Sequence, residues 1–155
     1  LYPSSTSPSS WEASLNVDAA LQTYLDAGVP PDKVVMGLPF YGRGWAGVPA
    51  TDAGLYQGST GLAPGTWEAG IYDYSHIVEL MADPVWVRTM HEETMVPWIY
   101  SAPDGVFISY DAAESFGHKL DHVVEHALGG GRFWELSGDT EEHELLDLLH
   151  ARLGD

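Results

Sequence analysis

The sequence contains no cysteine and few basic residues. Without cysteine it can form neither a disulfide bond nor a thiolate metal site. It has 6 Lys and Arg against 23 Asp and Glu, a formal net charge of −17, and so acidic a surface repels phosphate backbones and anionic lipids. No apolar run approaches the roughly 20 residues that a membrane helix needs. We therefore expect neither nucleic acid nor a membrane as a partner.

The start of the sequence also lacks the usual signals. The first residue is Leu1, with no initiator Met and no basic-then-apolar leader. We therefore expect a piece of a longer protein. The 155 residues, 45% of them hydrophobic, are enough for one domain with a real core.

The first third of the chain predicts a helix followed by a buried strand. Apolar residues recur at helical spacing from Val17 to Ala27. Asn16 is suited to cap the start of this helix, and Gly28 to end it. The next segment, KVVMGLPF, is continuously apolar, which is typical of a parallel strand buried on both faces. Helix followed by buried strand indicates an α/β protein.

The middle of the chain, residues 46–108, has a different pattern. Residues 46–70 are rich in glycine and predict turns. IYDYSHIVELM predicts a strand that becomes a short helix. WVRTMHEETMVPWIYS and GVFISYD predict strands joined by a turn at Ala102–Gly105. We interpret 46–108 as a small α+β insertion.

The α/β pattern resumes in residues 109–155. Asp111 has the spacing of an N-cap for a helix of about 112–127, with Val124 among the residues of its apolar face. GRFWEL predicts a second buried strand, and Asp139 begins another capping pattern before a Leu-rich last helix. If the architecture is a (β/α)8 barrel, which needs ~250 residues in all, residues 1–45 and 109–155 supply about two of its strands and most of the barrel is missing.

Aromatic and polar residues follow both predicted buried strands. The first strand leads into Tyr41 and Arg43, and the second ends in Trp134 and Glu135. Active sites of parallel α/β proteins lie at the carboxyl ends of their strands. An indole packs against the apolar face of a pyranose, and Tyr or Arg can bind its hydroxyls. Core packing is the competing interpretation, because aromatic residues also dominate cores.

Two polar patterns have ordinary structural interpretations. His118, His122 and His126 recur every four residues, but the predicted core face of their helix lies nearly opposite. We therefore expect a solvated row of histidines, with no metal site and no cofactor. Neighbouring strand residues face opposite ways, so Glu135 should point away from any cavity that Trp134 faces.

Two long segments together resemble the carboxyl-terminal portion of family 18 glycoside hydrolases, the chitinase family: SLNVDAALQTYLDAGVPPDKVVMGLPFYGRGW and VFISYDAAESFGHKLDHVVEHALGGGRFWELSGD. The resemblance implies the end of a TIM barrel that carries the family's chitinase insertion domain. It implies that Trp134 forms the floor beneath the sugar and that Tyr41 and Arg43 contact the sugar. Tyr74, in YDY, is the best match for a contact from the insertion.

The family's catalytic motifs are absent from this sequence. They are D-x-x-D-x-D-x-E, whose Glu is the general acid, and a Met-x-Tyr-Asp strand that handles the substrate's acetamido group. The resemblance implies substrate-assisted hydrolysis of β-1,4-linked N-acetylglucosamine polymers, in which the acetamido oxygen attacks the anomeric carbon. We therefore expect no catalytic residue in this chain, no activity of the chain alone, and the missing groups in the barrel upstream.

Two other functions remain open at this point. Some relatives have lost the acid and only bind sugar, so a chitinase-like binding protein is the first alternative, and an interaction module without a sugar role is the second. The resemblance also implies secretion. Two barrel strands would leave unpaired edges and an apolar face, so we expect the chain alone to be unstable or to self-associate.

Overall fold

The computed structural model describes residues 1–154. Four α-helices are present in this range, and their bounds are α1, Val17–Asp26; α2, Tyr74–Leu80; α3, Ala113–Glu125; and α4, Glu144–Leu153. Short 3-10 turns occupy Ser10–Ala13, Pro31–Lys33, Thr51–Gly54 and Leu136–Gly138. None of the described helices is both long and apolar enough to span a bilayer.

Eight strands form two sheets. The strands are β1, Val35–Pro39; β2, Tyr41–Ala46; β3, Gly61–Leu62; β4, Ile71–Asp73; β5, Trp86–His91; β6, Val96–Ser101; β7, Val106–Ser109; and β8, Gly130–Trp134. β1 and β8 form a parallel pair. The other strands form an antiparallel sheet in the order β3-β2-β7-β6-β5, with β4 also paired to β2. The mixed α/β class is thus as predicted.

The parallel pair has one buried face and one open face. Met36 and Leu38 of β1 are buried, whereas Val35 is 51% exposed. The prediction of burial on both faces is therefore wrong for β1. Helices α3 and α4 pack against β8, but no element of residues 1–154 covers Val35 on the opposite face.

The antiparallel sheet is built from local connections. The predicted turn at 102–105 joins β6 to β7, and the longer predicted strand is a hairpin, β5–β6, that turns at 92–95. The predicted strand and short helix in IYDYSHIVELM are confirmed as β4 and α2. The sheet extends from Tyr41 to Ser109. Division of the chain at 46 and 108 stays a prediction.

Helix α1 matches its prediction closely. The side-chain oxygen of Asn16 accepts a hydrogen bond from the backbone N–H of Ala19 at 2.9 Å, which confirms the cap. The helix ends at Asp26, one residue early, and Gly28 has the positive φ of 83° that favours glycine.

Helix α3, Ala113–Glu125, begins one residue later than predicted and ends two residues earlier. The cap position is Ala112, not Asp111. Asp111 is buried and instead forms an ion pair with Lys119 at 2.5 Å, while its other oxygen accepts from the Ser115 hydroxyl at 2.9 Å. Val124, predicted in the core, is exposed. Asp111 thus pairs with Lys119, eight residues further along the chain, and does not form the predicted N-cap.

The histidine row of α3 is not a solvated face. His118 is exposed, but His122 is only 3% exposed, so that part of the prediction is wrong. The reason is tertiary: Asp18 of α1 and the ring of Tyr2 both pack against His122. The periodicity of one helix cannot reveal a second helix beside it.

Helix α4 starts later than its capping pattern suggests. Asp139 lies five residues before the helix, yet its carboxylate accepts hydrogen bonds from the N–H groups of Leu145 and Leu146, at 3.2 and 2.9 Å. The predicted capping role is therefore confirmed, with a longer reach. Leu145 is fully buried and anchors the helix in the core.

Candidate functional site

The carboxyl ends of β1 and β8 lie side by side. Their register pairs Pro39 with Trp134, and the N–H of Phe40 donates to the carbonyl of Trp134 at 2.8 Å. The buried ring of Phe40 stacks on Phe133, with centroids 4.9 Å apart. These contacts bring together the two strand ends that the sequence singled out.

An open cavity of about 390 Å³ lies at these strand ends. It is lined by Gly37, Leu38, Pro39, Tyr41, Arg132, Phe133 and Trp134. Trp134 is 62% exposed, so its indole is not sealed in a core. Two of the four sequence-predicted residues, Trp134 and Tyr41, thus line the same cavity.

Arg43 lies beside Tyr41 but lines a second cavity. Alternation along β2 puts both side chains on one face, and the guanidinium carbon of Arg43 is 5.5 Å from the centre of the Tyr41 ring. Gly42 between them packs closely on the other side. A Cβ there would lie 2.7 Å from Ile77 Cδ1 and 2.8 Å from the Ser109 carbonyl oxygen, so only glycine fits this position.

The second cavity, about 260 Å³, contains an ion pair that the sequence did not predict. Its lining residues are Pro39, Tyr41, Arg43, Val96, Ser109, Tyr110, Asp111 and Lys119. Lys119 is three residues after the core residue Phe116, which places a cation on the buried side of α3. This three-residue spacing could have predicted from the sequence that Lys119 faces the core side of α3. Because Asp111 and Lys119 satisfy each other, neither is a free acid or base.

The row of aromatic residues continues past Arg43. A third cavity, about 390 Å³, shares Ser109 with the second and is lined by Trp45, Tyr56 and Phe107, among others. Trp45 follows Arg43 by two residues on β2, so strand alternation could have found it. The second cavity shares Pro39 and Tyr41 with the first and Ser109 with the third, so it lies between them along β2.

Tyr74 lies apart from these cavities. It is 4% exposed, and its hydroxyl donates to the Glu144 carboxylate at 2.7 Å. Burial, and then the hydrogen bond with Glu144, raises the pKa of Tyr74 far above its ordinary value. It therefore stays protonated and remains a donor. Its predicted contact with sugar stays a prediction.

Trp67 was not identified from the sequence as an exposed aromatic residue. Trp67 is 89% exposed, and its indole N–H donates to the Asp73 carboxylate at 2.7 Å. It lies in the glycine-rich stretch before β4, which has no periodicity from which to infer exposure. The Asp73 carboxylate therefore already accepts a hydrogen bond from within the chain.

Glu135 does not join the aromatic site. Its peptide bond to Trp134 is cis, its side chain is exposed, and it lines none of the cavities described above. Among the described residues, one group could hold a metal ion: Asp18, His122 and His126, whose ligand atoms lie within 4.8 Å of one another. None of these three lines the aromatic cavities.

Comparison with known proteins finds one family over most of the chain. The family described as "Glycosyl hydrolases family 18" matches residues 1–139. Chitinase A1 of Niallia circulans is 46% identical over 132 residues, which cover 82% of this chain and 18% of that protein. Chitinase B of Serratia marcescens is 35% identical over 157 aligned positions, covering 88% of this chain and 31% of that protein.

Solved structures show the same relationship. Chitinase ChiA74 from Bacillus thuringiensis superposes with a TM-score of 0.87 at 37% identity, covering 99% of this chain and 28% of that one. A Group IV chitinase from Ostrinia furnacalis, solved in complex with allosamidin, gives a TM-score of 0.87 at 27% identity, with 97% of this chain and 43% of that chain covered. The chain therefore spans less than half the length of each of these relatives.

Proposed function

This chain belongs to family 18 of the glycosyl hydrolases, and from that premise we propose that it is part of a chitinase-type enzyme that cleaves β-1,4-linked N-acetylglucosamine polymers. Similar proteins named chitinases support the substrate class. Because the chain covers only 18% and 31% of the two curated relatives, the activity is proposed for the longer protein that carries it.

The observation that carries the proposal is the open indole of Trp134 in one cavity with Tyr41. A pyranose ring has an apolar C–H face that packs on an aromatic ring and hydroxyl edges that need polar partners. The Tyr41 hydroxyl provides such a partner in the same cavity as Trp134, and the Arg43 guanidinium provides another in the adjoining cavity that Tyr41 also lines. The further aromatic cavity at Trp45 extends the same surface, as a chain of linked sugars requires.

We propose that β1 and β8 are neighbouring strands of a TIM barrel whose remaining strands lie upstream. Their parallel pairing and the uncovered face of β1 support this, because parallel sheets are ordinarily covered on both faces. In this arrangement residues 1–45 and 109–155 belong to the barrel. Residues 46–108 form the insertion domain that walls the cleft.

The catalytic acid in this proposal comes from the upstream barrel. There, a Glu protonates the leaving oxygen while the substrate's acetamido oxygen attacks the anomeric carbon. The two buried carboxylates among the described residues have other partners: Asp111 pairs with Lys119, and Asp139 caps α4. The chain alone is therefore expected to bind sugar without cleaving it, since loss of a general acid typically costs ~10²–10⁴-fold in rate.

A sugar-binding protein without catalysis is the second candidate. The same observation favours it, because the groups assembled here are binding groups. The two functions differ in the upstream acid, so hydrolysis of N-acetylglucosamine oligosaccharides by the full protein separates them. We propose a secreted protein in either case, by analogy with the family.

The sugar site is tested by binding of N-acetylglucosamine tetrasaccharide, followed by calorimetry and tryptophan fluorescence. Trp134→Ala should weaken binding by about 10–30-fold, the loss typical of an aromatic anchor. Trp67→Ala is the matched control, since it removes a still more exposed indole that lines none of the three cavities. Equal losses in the two variants, or no binding by the unaltered protein, would refute the proposal.

A further inference from the structure

Helices α1 and α3 bring three potential metal ligands together away from the aromatic cavities. Asp18 is in the first turn of α1, and His122 and His126 are one turn apart on α3. Residues four apart on a helix lie on the same side. The ligand atoms of the three residues all lie within 4.8 Å of one another.

The distance between the first two ligands fits a shared metal better than a hydrogen bond. Nε2 of His122 is 3.4 Å from Oδ1 of Asp18, whereas N–H···O bonds are ordinarily ~2.7–3.2 Å. Two ligands of a tetrahedral ion with bonds of ~2.0–2.1 Å lie ~3.3–3.4 Å apart. The rings of His122 and His126 are also close, with centroids 4.0 Å apart.

The tautomer of His126 leaves one nitrogen available for a metal. Its Nδ1 lies 3.0 Å from the carbonyl oxygen of His122. A carbonyl can only accept, so Nδ1 is the donor and Nε2 carries the lone pair. A hydrogen bond from the second ring nitrogen to a backbone carbonyl is the usual way in which proteins orient a metal-binding histidine.

His122 is buried beside the other two ligands. It is 3% exposed, and its Nε2 faces the Asp18 carboxylate. Its Nδ1 has no hydrogen-bond partner among the described residues. Nε2 is therefore the ligand atom of this residue, and burial holds the ring in place for coordination.

We propose that Asp18, His122 and His126 bind a divalent zinc-type cation that ties α1 to α3. Two imidazoles and one carboxylate suit Zn²⁺, whereas Ca²⁺ and Mg²⁺ prefer oxygen ligands throughout. Three protein ligands leave a fourth position for water. The three residues line none of the aromatic cavities, so this ion site is separate from the proposed sugar site.

Helical spacing alone groups a different set of residues. It selects His118 with His122 and His126, but His118 is exposed and lies outside the cluster. The third ligand comes from α1, about 100 residues earlier in the chain. His118 is therefore an internal control: a histidine on the same helix that should be irrelevant to binding.

The test is a zinc titration of the metal-stripped protein by calorimetry, with melting curves in the presence and absence of zinc. The unaltered protein and His118→Gln should each bind one equivalent and melt at a higher temperature with zinc. Asp18→Asn and His126→Gln should weaken binding by at least about 10–100-fold, the loss reported even for partners of metal ligands, and should lose the zinc-dependent rise.

Folding of each variant is checked by circular dichroism without metal. Asp18 and His126 are only partly buried, and Asp18→Asn keeps the shape of the side chain. If either variant fails to fold, the other decides; if both fail, Co²⁺ replaces zinc in the unaltered protein, and tetrahedral d–d absorption is expected. Absence of that absorption, absence of a single zinc equivalent, or equal binding by all four proteins would overturn the proposal.

Discussion

The two sheets of this chain differ in how completely they are buried. In the antiparallel sheet, Ile99 and Ile108 are fully buried. In the parallel pair, Met36 and Leu38 are buried on one face, while Val35 on the other is open. The antiparallel sheet therefore has a finished core within the described residues, and the parallel pair does not.

The difference follows from the two kinds of strand pairing. Antiparallel strands are joined by short turns and can leave one face in water, so one stretch of chain completes them. Parallel strands need long crossovers and ordinarily covers on both faces. The residues of the proposed sugar site lie on the incomplete parallel pair and on β2, where the two sheets meet. The proposed sugar site thus lies where the sheet is incompletely covered by the described residues.

The largest expected effect concerns the junction between these two regions. Asp111 lies two residues after the end of β7, and its partner Lys119 lies on α3, which packs against the parallel pair. Lys119→Met leaves the buried Asp111 carboxylate without its cation, and such losses cost about 3–5 kcal/mol. Urea unfolding should show this decrease in the free energy of unfolding.

The matched control removes both charges. In Asp111→Asn with Lys119→Met no charge remains buried, so the double variant should be more stable than Lys119→Met alone. If the single and double variants unfold at the same urea concentration, the ion pair does not stabilise the junction.

The next effect compares one apolar residue from each sheet. Ile108→Ala opens a cavity in the finished core and should cost about 2–5 kcal/mol. Val35→Ala, on the open face, should change stability by no more than about 0.5 kcal/mol. Urea unfolding of the chain measures both.

Val35→Ala should have a larger effect in the longer protein that carries this chain. If upstream strands cover β1, Val35→Ala removes two buried carbon groups, which would cost about 1.5 kcal/mol at ~0.8 each. An equally small effect in both proteins would contradict the proposal that β1 is an inner strand of a barrel.

Local sequence signals predicted most of the elements. The cap at Asn16, the turn at 102–105 and the strand and helix around Tyr74 depend on neighbouring residues, and the structure has them. The errors concern contacts beyond immediate neighbours. Asp111 pairs with Lys119, eight residues further along the chain, and His122 is buried by Asp18 from another helix.

The candidate site was predicted in part for the same reason. Trp134 and Tyr41 follow strands that a parallel arrangement must bring together, and they do line one cavity. Trp45 could have been added by alternation along β2. Lys119 could have been added by its spacing from the core residue Phe116 on α3. The exposure of Trp67 could not, because its glycine-rich stretch has no periodicity from which to infer it.

The smallest expected effect separates two roles for Tyr74. Its ring is buried and its hydroxyl binds Glu144, so Tyr74→Phe should lower the free energy of unfolding by about 0.5–1.5 kcal/mol, the usual value for one hydrogen bond. Because the ring remains in place, affinity for N-acetylglucosamine tetrasaccharide should be unchanged. A several-fold loss of affinity with unaltered stability would instead support the sugar contact predicted from the sequence. It would mean that the insertion presents this hydroxyl to the cleft once the barrel is complete.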